Sequence, residues 1–133
     1  MTDLPKFSLI PQPGDYAISK LPAGSALPEW VGGDGLVSVT IAEDELSIVC
    51  LSDRVPETTE AERGWRALKV ETTADLDEPG VILSAVQPVA EAELGVFVIS
   101  TYLRDYLLVR ADEQDVAFRA LIEAGHRIDA ANG

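Results

Sequence analysis

One cysteine and one histidine in 133 residues rule out several kinds of chemistry. Cys50 alone cannot form an intramolecular disulfide, so a signature of small secreted domains is missing. With His126 the only histidine, no Cys/His zinc site can be assembled. Bases are scarce too: 10 Lys and Arg stand against 23 Asp and Glu, giving a net charge of −13. Phosphate backbones and anionic membranes would be repelled, so neither nucleic acid nor a membrane is expected as a partner. The acids divide almost evenly between residues 1–64 and 65–133, which describes a solvated acidic surface and not an acidic tail. No apolar run approaches the roughly 20 residues needed to span a bilayer. The stretch "MTDLPKFSL" has no basic region followed by an apolar one. The reading is a soluble, cytoplasmic protein.

Phosphate-cradling glycine patterns are also absent: neither GxGxxG nor GxxxxGK[ST] occurs, and "VGGDG" (31–35) lacks a following helix long enough to use it. Carboxylates cluster at Glu43-Asp44-Glu45, but in a turn, where solvation accounts for them. His126 sits beside a helix end, a structural position. Cys50 closes the apolar run "LSIVC", where it reads as a small buried hydrophobe. No enzyme, cofactor or metal is expected.

What the chain does have is apolar content, 47%, enough for a core in one compact unit or two very small ones sharing a core. "YAISKL" (16–21) alternates as a strand, and a short helical turn fits around Pro28 to Val31. The runs Leu36–Ile41 and Leu46–Cys50 form a hairpin around Glu43-Asp44-Glu45. Residues 51–64 are polar, carry Pro56 and read as a connection. Trp65 to Val70 is a strand with room for a bulge. From Gly80, Ile82, Ala85, Val86, Val89 and Ala90 recur at helical spacing. Asp77 or Glu78 can cap that helix, Pro79 suits its first turn, Pro88 should kink it without breaking it, and Gly95 should end it.

"VFVIST" (96–101) is apolar on both faces and reads as a central strand, with "YLLVR" (106–110) as its hairpin partner. Asp112 caps a second helix whose face is Ala117, Phe118, Leu121 and Ala124, stopped by left-handed Gly125, before a short edge strand at 126–129. The second half thus runs strand, helix, strand, strand, helix, strand, the ferredoxin-like α+β order. The first half repeats that order without its end, with the two hairpins offset by about 59 residues.

The run "GVILSAVQPVAEAELGVFVISTYLRDYLLVRADEQ" (80–114) resembles the ACT domain, most closely the subclass of the arginine-sensing CASTOR proteins and small bacterial relatives. "LVSVTIAEDELSIVCLSDRVP" (36–56) resembles that subclass's N-terminal ACT-like half, and "ERGWRALKVE" (62–71) its joining strand. The likeness covers residues 14–129. It implies two tandem ACT-like halves with antiparallel sheets, 1–64 incomplete and 65–133 complete. It also implies a non-catalytic regulatory module binding an amino acid or similar small ligand between domains, with a homodimer the expected assembly and the regulated partner protein open. The ligand residues it implies are Gly80, Val81 and Ile82 at the helix start, Gly95 and Val96 where the next strand begins, and Ser100, Thr101 and Asp105 in the hairpin. Relatives often carry a small polar residue where this chain has Gly95. N–H groups at a helix start favour a carboxylate, and a hairpin carboxylate can pair with an amine or guanidinium. The acids Asp75, Asp77 and Glu78 weaken anion binding there and favour a ligand with a basic side chain. Asp105 has an ordinary alternative, a turn aspartate bonding its own backbone. For the whole protein the alternative is a ligand-free assembly module that pairs through exposed sheet edges or helix faces.

Overall fold

The computed structural model describes residues 4–74 and 78–129. Its first strand, Ser8–Pro11 (β1), has no counterpart among the expected elements, because four residues ending in proline are too short an alternation to signal one. Then follow Tyr16–Leu21 (β2), a 3-10 turn at Glu29–Val31, Ser38–Ile41 (β3), Leu46–Leu51 (β4), a 3-10 turn at Ser52–Arg54, and Glu60–Glu71 (β5). Val81–Glu91 (α1), Phe97–Ser100 (β6), Asp105–Arg110 (β7), a 3-10 turn at Ala111–Glu113, Gln114–Glu123 (α2) and Arg127–Ile128 (β8) complete it. This is the α+β, ferredoxin-like arrangement. The chain divides into two compact units, Pro13–Trp65, and Arg66–Gly133 with Met1–Gln12.

In the unit Pro13–Trp65, β3 pairs with β4, β4 with β2, and β2 with the first part of β5, all antiparallel. Residues 51–64 are therefore not one connection: β5 already begins at Glu60. Its opening, "EAERG", alternates small and charged residues, so no large apolar side chain marks the strand. The bulge allowed for near Trp65 is present. Tyr16 and Ile18 on β2 face Trp65 and Glu62, so β5 carries one extra residue there, beside Gly64 at φ 78°. One face of this small sheet buries Ala17, Leu46, Ile48 and Cys50 under Val31 and Val55. Burial pushes the Cys50 thiol up, as expected of an inert core cysteine. Arg54 holds the loop above through the carbonyls of Trp30, Val31 and Asp34.

In the other unit, β5 continues with β7 on one side and β1 on the other; β8 lies beyond β1 and β6 beyond β7. The ferredoxin-like order is thus kept with β1 inserted between its first and last strands, antiparallel to β5 and parallel to β8. Among the described residues β6 pairs only with β7. It is an edge strand and not the central one that its apolar composition suggested; Phe97 and Val98 are only half buried. The amphipathic helices α1 and α2 bury Val81, Ala85, Val89, Ala117 and Leu121 against Leu9, Leu68, Val70, Leu107 and Val109. At roughly 25 cal/mol per Å² this apolar burial is the main stabilising term of the unit.

Three helix-end expectations are corrected. α1 begins after left-handed Gly80 (φ 88°) with no side-chain cap, which places Pro79 and Glu78 outside the helix; Asp77 lies outside the described residues. α1 runs through Pro88 to Glu91, and its left-handed closing residue is Glu93 (φ 65°), not Gly95. α2 is entered from a 3-10 turn that contains Asp112, so that carboxylate makes no cap bond. Gly125 does take the left-handed conformation, at φ 103°.

Candidate functional site

The β6–β7 hairpin closes on a four-residue turn in which the Thr101 N–H donates to the Arg104 carbonyl at 2.9 Å. The Thr101 hydroxyl bridges the same turn, donating to the Arg104 carbonyl (2.9 Å) and accepting from the Arg104 N–H (3.3 Å). Tyr102 and Leu103, at the tip, are 85% and 69% exposed, unusual for large apolar side chains. Asp105 stands just past the turn as the first residue of β7. It faces Ser100 across the ladder and accepts that hydroxyl at 2.6 Å. This carboxylate is held by a side chain, not by the local backbone bond of an ordinary turn aspartate.

The opposite wall is the start of α1. Gly80 supplies the left-handed entry, and a side chain there would press on Leu4 and Pro5, at 3.3 and 3.4 Å. The Ser84 N–H reaches the Gly80 carbonyl, while the N–H groups of Val81, Ile82 and Leu83 have no acceptor within the helix. Between these walls lies a cleft of about 230 Å³ lined by Thr72, Ala74, Glu78, Gly80–Leu83 and Ser100–Asp105. Arg104 brings a guanidinium to it, but that group already pairs with Glu71 at 2.8 Å, and Lys69 shares the same oxygen at 3.2 Å. The carboxylates of Asp105 and Glu78 therefore give the cleft an acidic bias beside a helix start that favours anions.

Of the residues expected at a site, Gly80, Val81, Ile82, Ser100, Thr101 and Asp105 all line this cleft. Gly95 and Val96 do not: they lead into β6, away from the hairpin's turn, and Gly95 has open space where a side chain would stand. Sequence reasoning missed Thr72, Ala74 and Leu83; Tyr102 and Leu103 fall within the hairpin stretch 100–105 that it marked as ligand region, without being named singly. Two bulky apolar residues at a hairpin tip were the available signal. Asp75 lies outside the described residues. A second, broader hollow of about 650 Å³ in the unit Pro13–Trp65 is lined by residues including Asp15, Asp53 and Arg63. There the Arg63 guanidinium is spent on the carbonyls of Ser52, Val55 and Pro56.

Behind the cleft, His126 is buried and stacked on Phe7 with ring centres 4.3 Å apart. Its Nδ1 accepts the Phe7 N–H at 3.3 Å, and its Nε2 donates to the Ser84 carbonyl at 2.9 Å. All ring nitrogens serve the fold. Among the described residues no group of three His, Cys, Asp or Glu could hold a metal ion, and no helix is long and apolar enough to cross a membrane.

Residues 60–123 match the ACT domain model, and residues 14–58 match a model described as an N-terminal domain. The chain carries an ACT domain. It is 38% identical to an Agobacterium tumefaciens protein of known crystal structure, with a TM-score of 0.92 over 97% of this chain and 96% of that one, and it belongs to that protein's family. Two more distant structures share the fold. One is a Vibrio cholerae protein of unknown function, described as a possible transport protein (18% identity, TM-score 0.73, 90% of each chain). The other is the ligand-free regulatory subunit of aspartate kinase from Thermus thermophilus (12% identity, TM-score 0.59, 84% of this chain and 91% of that one). No curated protein matches the chain. The ACT domain's cleft lies between the start of α1 and the turn of the β6–β7 hairpin.

Proposed function

We propose that this ACT protein is a non-catalytic regulatory module that binds an amino acid or a closely similar zwitterion. One observation carries the reading: the first turn of α1, whose N–H groups lack helical acceptors, and the Ser100–Asp105 pair line one cleft of about 230 Å³. A ligand carboxylate suits the helix start, and its ammonium, or a guanidinium, suits Asp105. The acidic bias of the cleft favours a basic side chain, in keeping with the likeness to the arginine-sensing CASTOR subclass. Thermal melts of the whole chain with each amino acid test this. The amino acid that binds should add about 2.7 kcal/mol at a hundredfold excess over its dissociation constant. Asp105→Ala should keep the unliganded melting temperature and lose that rise, because an unpaired buried cation costs on the order of 2–5 kcal/mol of binding. A variant that still binds within threefold of the parent would remove Asp105 from the site.

We further propose that the chain works as a homodimer, each copy with two ACT-like divisions, 1–64 and 65–133, the strand β1 of the first packing in the unit of the second. Ile82, Leu83, Tyr102 and Leu103 are all exposed on the rim of the cleft, and a second copy covering them would enclose the ligand. The same exposed rim and the open edge of β6 favour the second reading, an assembly module without ligand. Light scattering with and without amino acids separates them. A mass of 14.3 kDa at tens of micromolar would oppose both.

A further inference from the structure

In the unit Pro13–Trp65 the core side of the sheet is left partly bare. The register sets Val39 opposite Ile48 and Ile41 opposite Leu46, so these two side chains of β3 continue the face that buries Ala17, Leu46, Ile48 and Cys50. Ser38 and Thr40 take the other face, as alternation along a strand requires. Cover runs out along the strand. Val37, just before β3, packs on the core, Val39 is 37% exposed and Ile41 83%. Leu21, in one row with Leu46 and Ile41, is half buried. The covering element is too short. The three-residue 3-10 turn Glu29–Val31 spans about 6 Å, whereas Cys50 to Leu46 alone extends about 13 Å. In the other unit Val98 lies opposite Leu107 in the same register, and there it packs on a core closed by α1, 11 residues and about 16 Å long. The first hairpin thus presents a face built to lie under a helix and has a single turn to put there.

Charge indicates what would cover it. The unit holds 10 acidic residues against three basic ones. Glu43 and Asp44 follow Ile41 in the turn and Glu29 opens the 3-10 turn, all three exposed. Arg54 and Arg63 are turned onto backbone carbonyls, and Lys20, opposite Ser47, lies on the other face. A second copy would bring the same acids to this face, so self-pairing here is opposed and a basic partner is favoured. We infer that Leu21, Val39 and Ile41 form a docking face for an amphipathic helix of a partner protein, with Lys or Arg along the helix margins toward Glu29, Glu43 and Asp44. This face shares no residue with the amino-acid cleft and does not rest on that reading.

The whole chain, isotope-labelled, is titrated with three synthetic peptides of about 18 residues, five helical turns. One is a Leu/Lys peptide with leucines at helical spacing, the second puts Glu in place of Lys, and the third scatters the leucines of the first. The first should bind, become helical and shift the amide signals of residues 37–41 and 46–48. The other two should bind at least about tenfold more weakly, the cost of a lost apolar stripe or of like charges. Ile41→Thr, which keeps the β-branched shape, should lose about tenfold in affinity for the first peptide. Ile122→Thr, at an exposed position of α2, should bind like the parent. The shifted signals locate the site without any variant. Equal binding of the three peptides, signals moving elsewhere, or an Ile41→Thr variant within threefold of the parent overturns the proposal. So does a dimer of the parent that Ile41→Thr converts to monomer, which would put a second copy on this face.

Discussion

Pro88 has no N–H to offer the Ser84 carbonyl four residues back, a defect worth about 3 kcal/mol in an isolated helix. His126 repairs it, since its Nε2–H donates to that carbonyl at 2.9 Å. The proton on Nε2 leaves Nδ1 bare to accept from Phe7, so the ring must be neutral to make both bonds. Burial holds its pKa below the ordinary histidine value; the bond to the Ser84 carbonyl opposes this, and the Lys6 charge adds to it. An unfolded chain takes up this proton near pH 6.5, the folded one only at lower pH. Between those values the unfolded state binds more protons, so stability is full above about pH 6.5 and declines as the pH falls, by up to roughly 1.4 kcal/mol per unit. Denaturant melts of the parent and of His126→Gln across this range should show the parent losing stability relative to the variant on acidification; parallel curves would refute the account. Glu93 offers the reverse opportunity. It holds a left-handed conformation while its own N–H reaches Ala90 and that of Leu94 reaches Val89. A side chain pays about 1 kcal/mol there, so Glu93→Gly should raise the unfolding free energy by about that much in the same assay.

Elements with a clear period were legible: both helices, both hairpins and β2 were expected where they occur, because alternation or helical spacing encodes a buried face. β1 was not, since its signal is one residue deep. Leu9 is completely buried between β5 and β8, and the strand's identity comes from partners that lie far away in sequence. Leu9→Ala should therefore cost about 2–5 kcal/mol, the range for a core leucine, despite its place in an inconspicuous segment. A cost under 1 kcal/mol by denaturant titration would mean that β1 is dispensable. The edge position of β6 was also hidden. Apolar residues on both faces of a strand look alike whether sheet neighbours cover it or only one does. The candidate cleft was legible in the hairpin and the helix start, where residue types differ from the surroundings. Thr72 and Ala74, which reach the cleft after β5, carry no such mark.

At the scale of the molecule, a net charge of −13 makes the folded chain repel itself. Raising ionic strength from about 0.01 M to about 0.15 M shortens the Debye length from roughly 30 Å to roughly 8 Å. The melting temperature should rise over that interval, and a fall would show that surface pairs such as Arg104–Glu71 outweigh the repulsion. The internal repeat was legible as an order of elements, but the strand shared between its copies was not. Residues 60–65 of β5 complete the sheet of one unit, and residues 68–71 pair with β1 in the other. This arrangement constrains how the protein can form on a ribosome. β1 is made early, yet one of its neighbours is β5 and the other is Arg127–Ile128, some 119 residues later. At about 5–20 residues per second the early strand waits several seconds with both edges bare. Folding of that unit cannot finish piecemeal during synthesis, and a pause late in translation prolongs the interval in which β1 is open to a wrong partner.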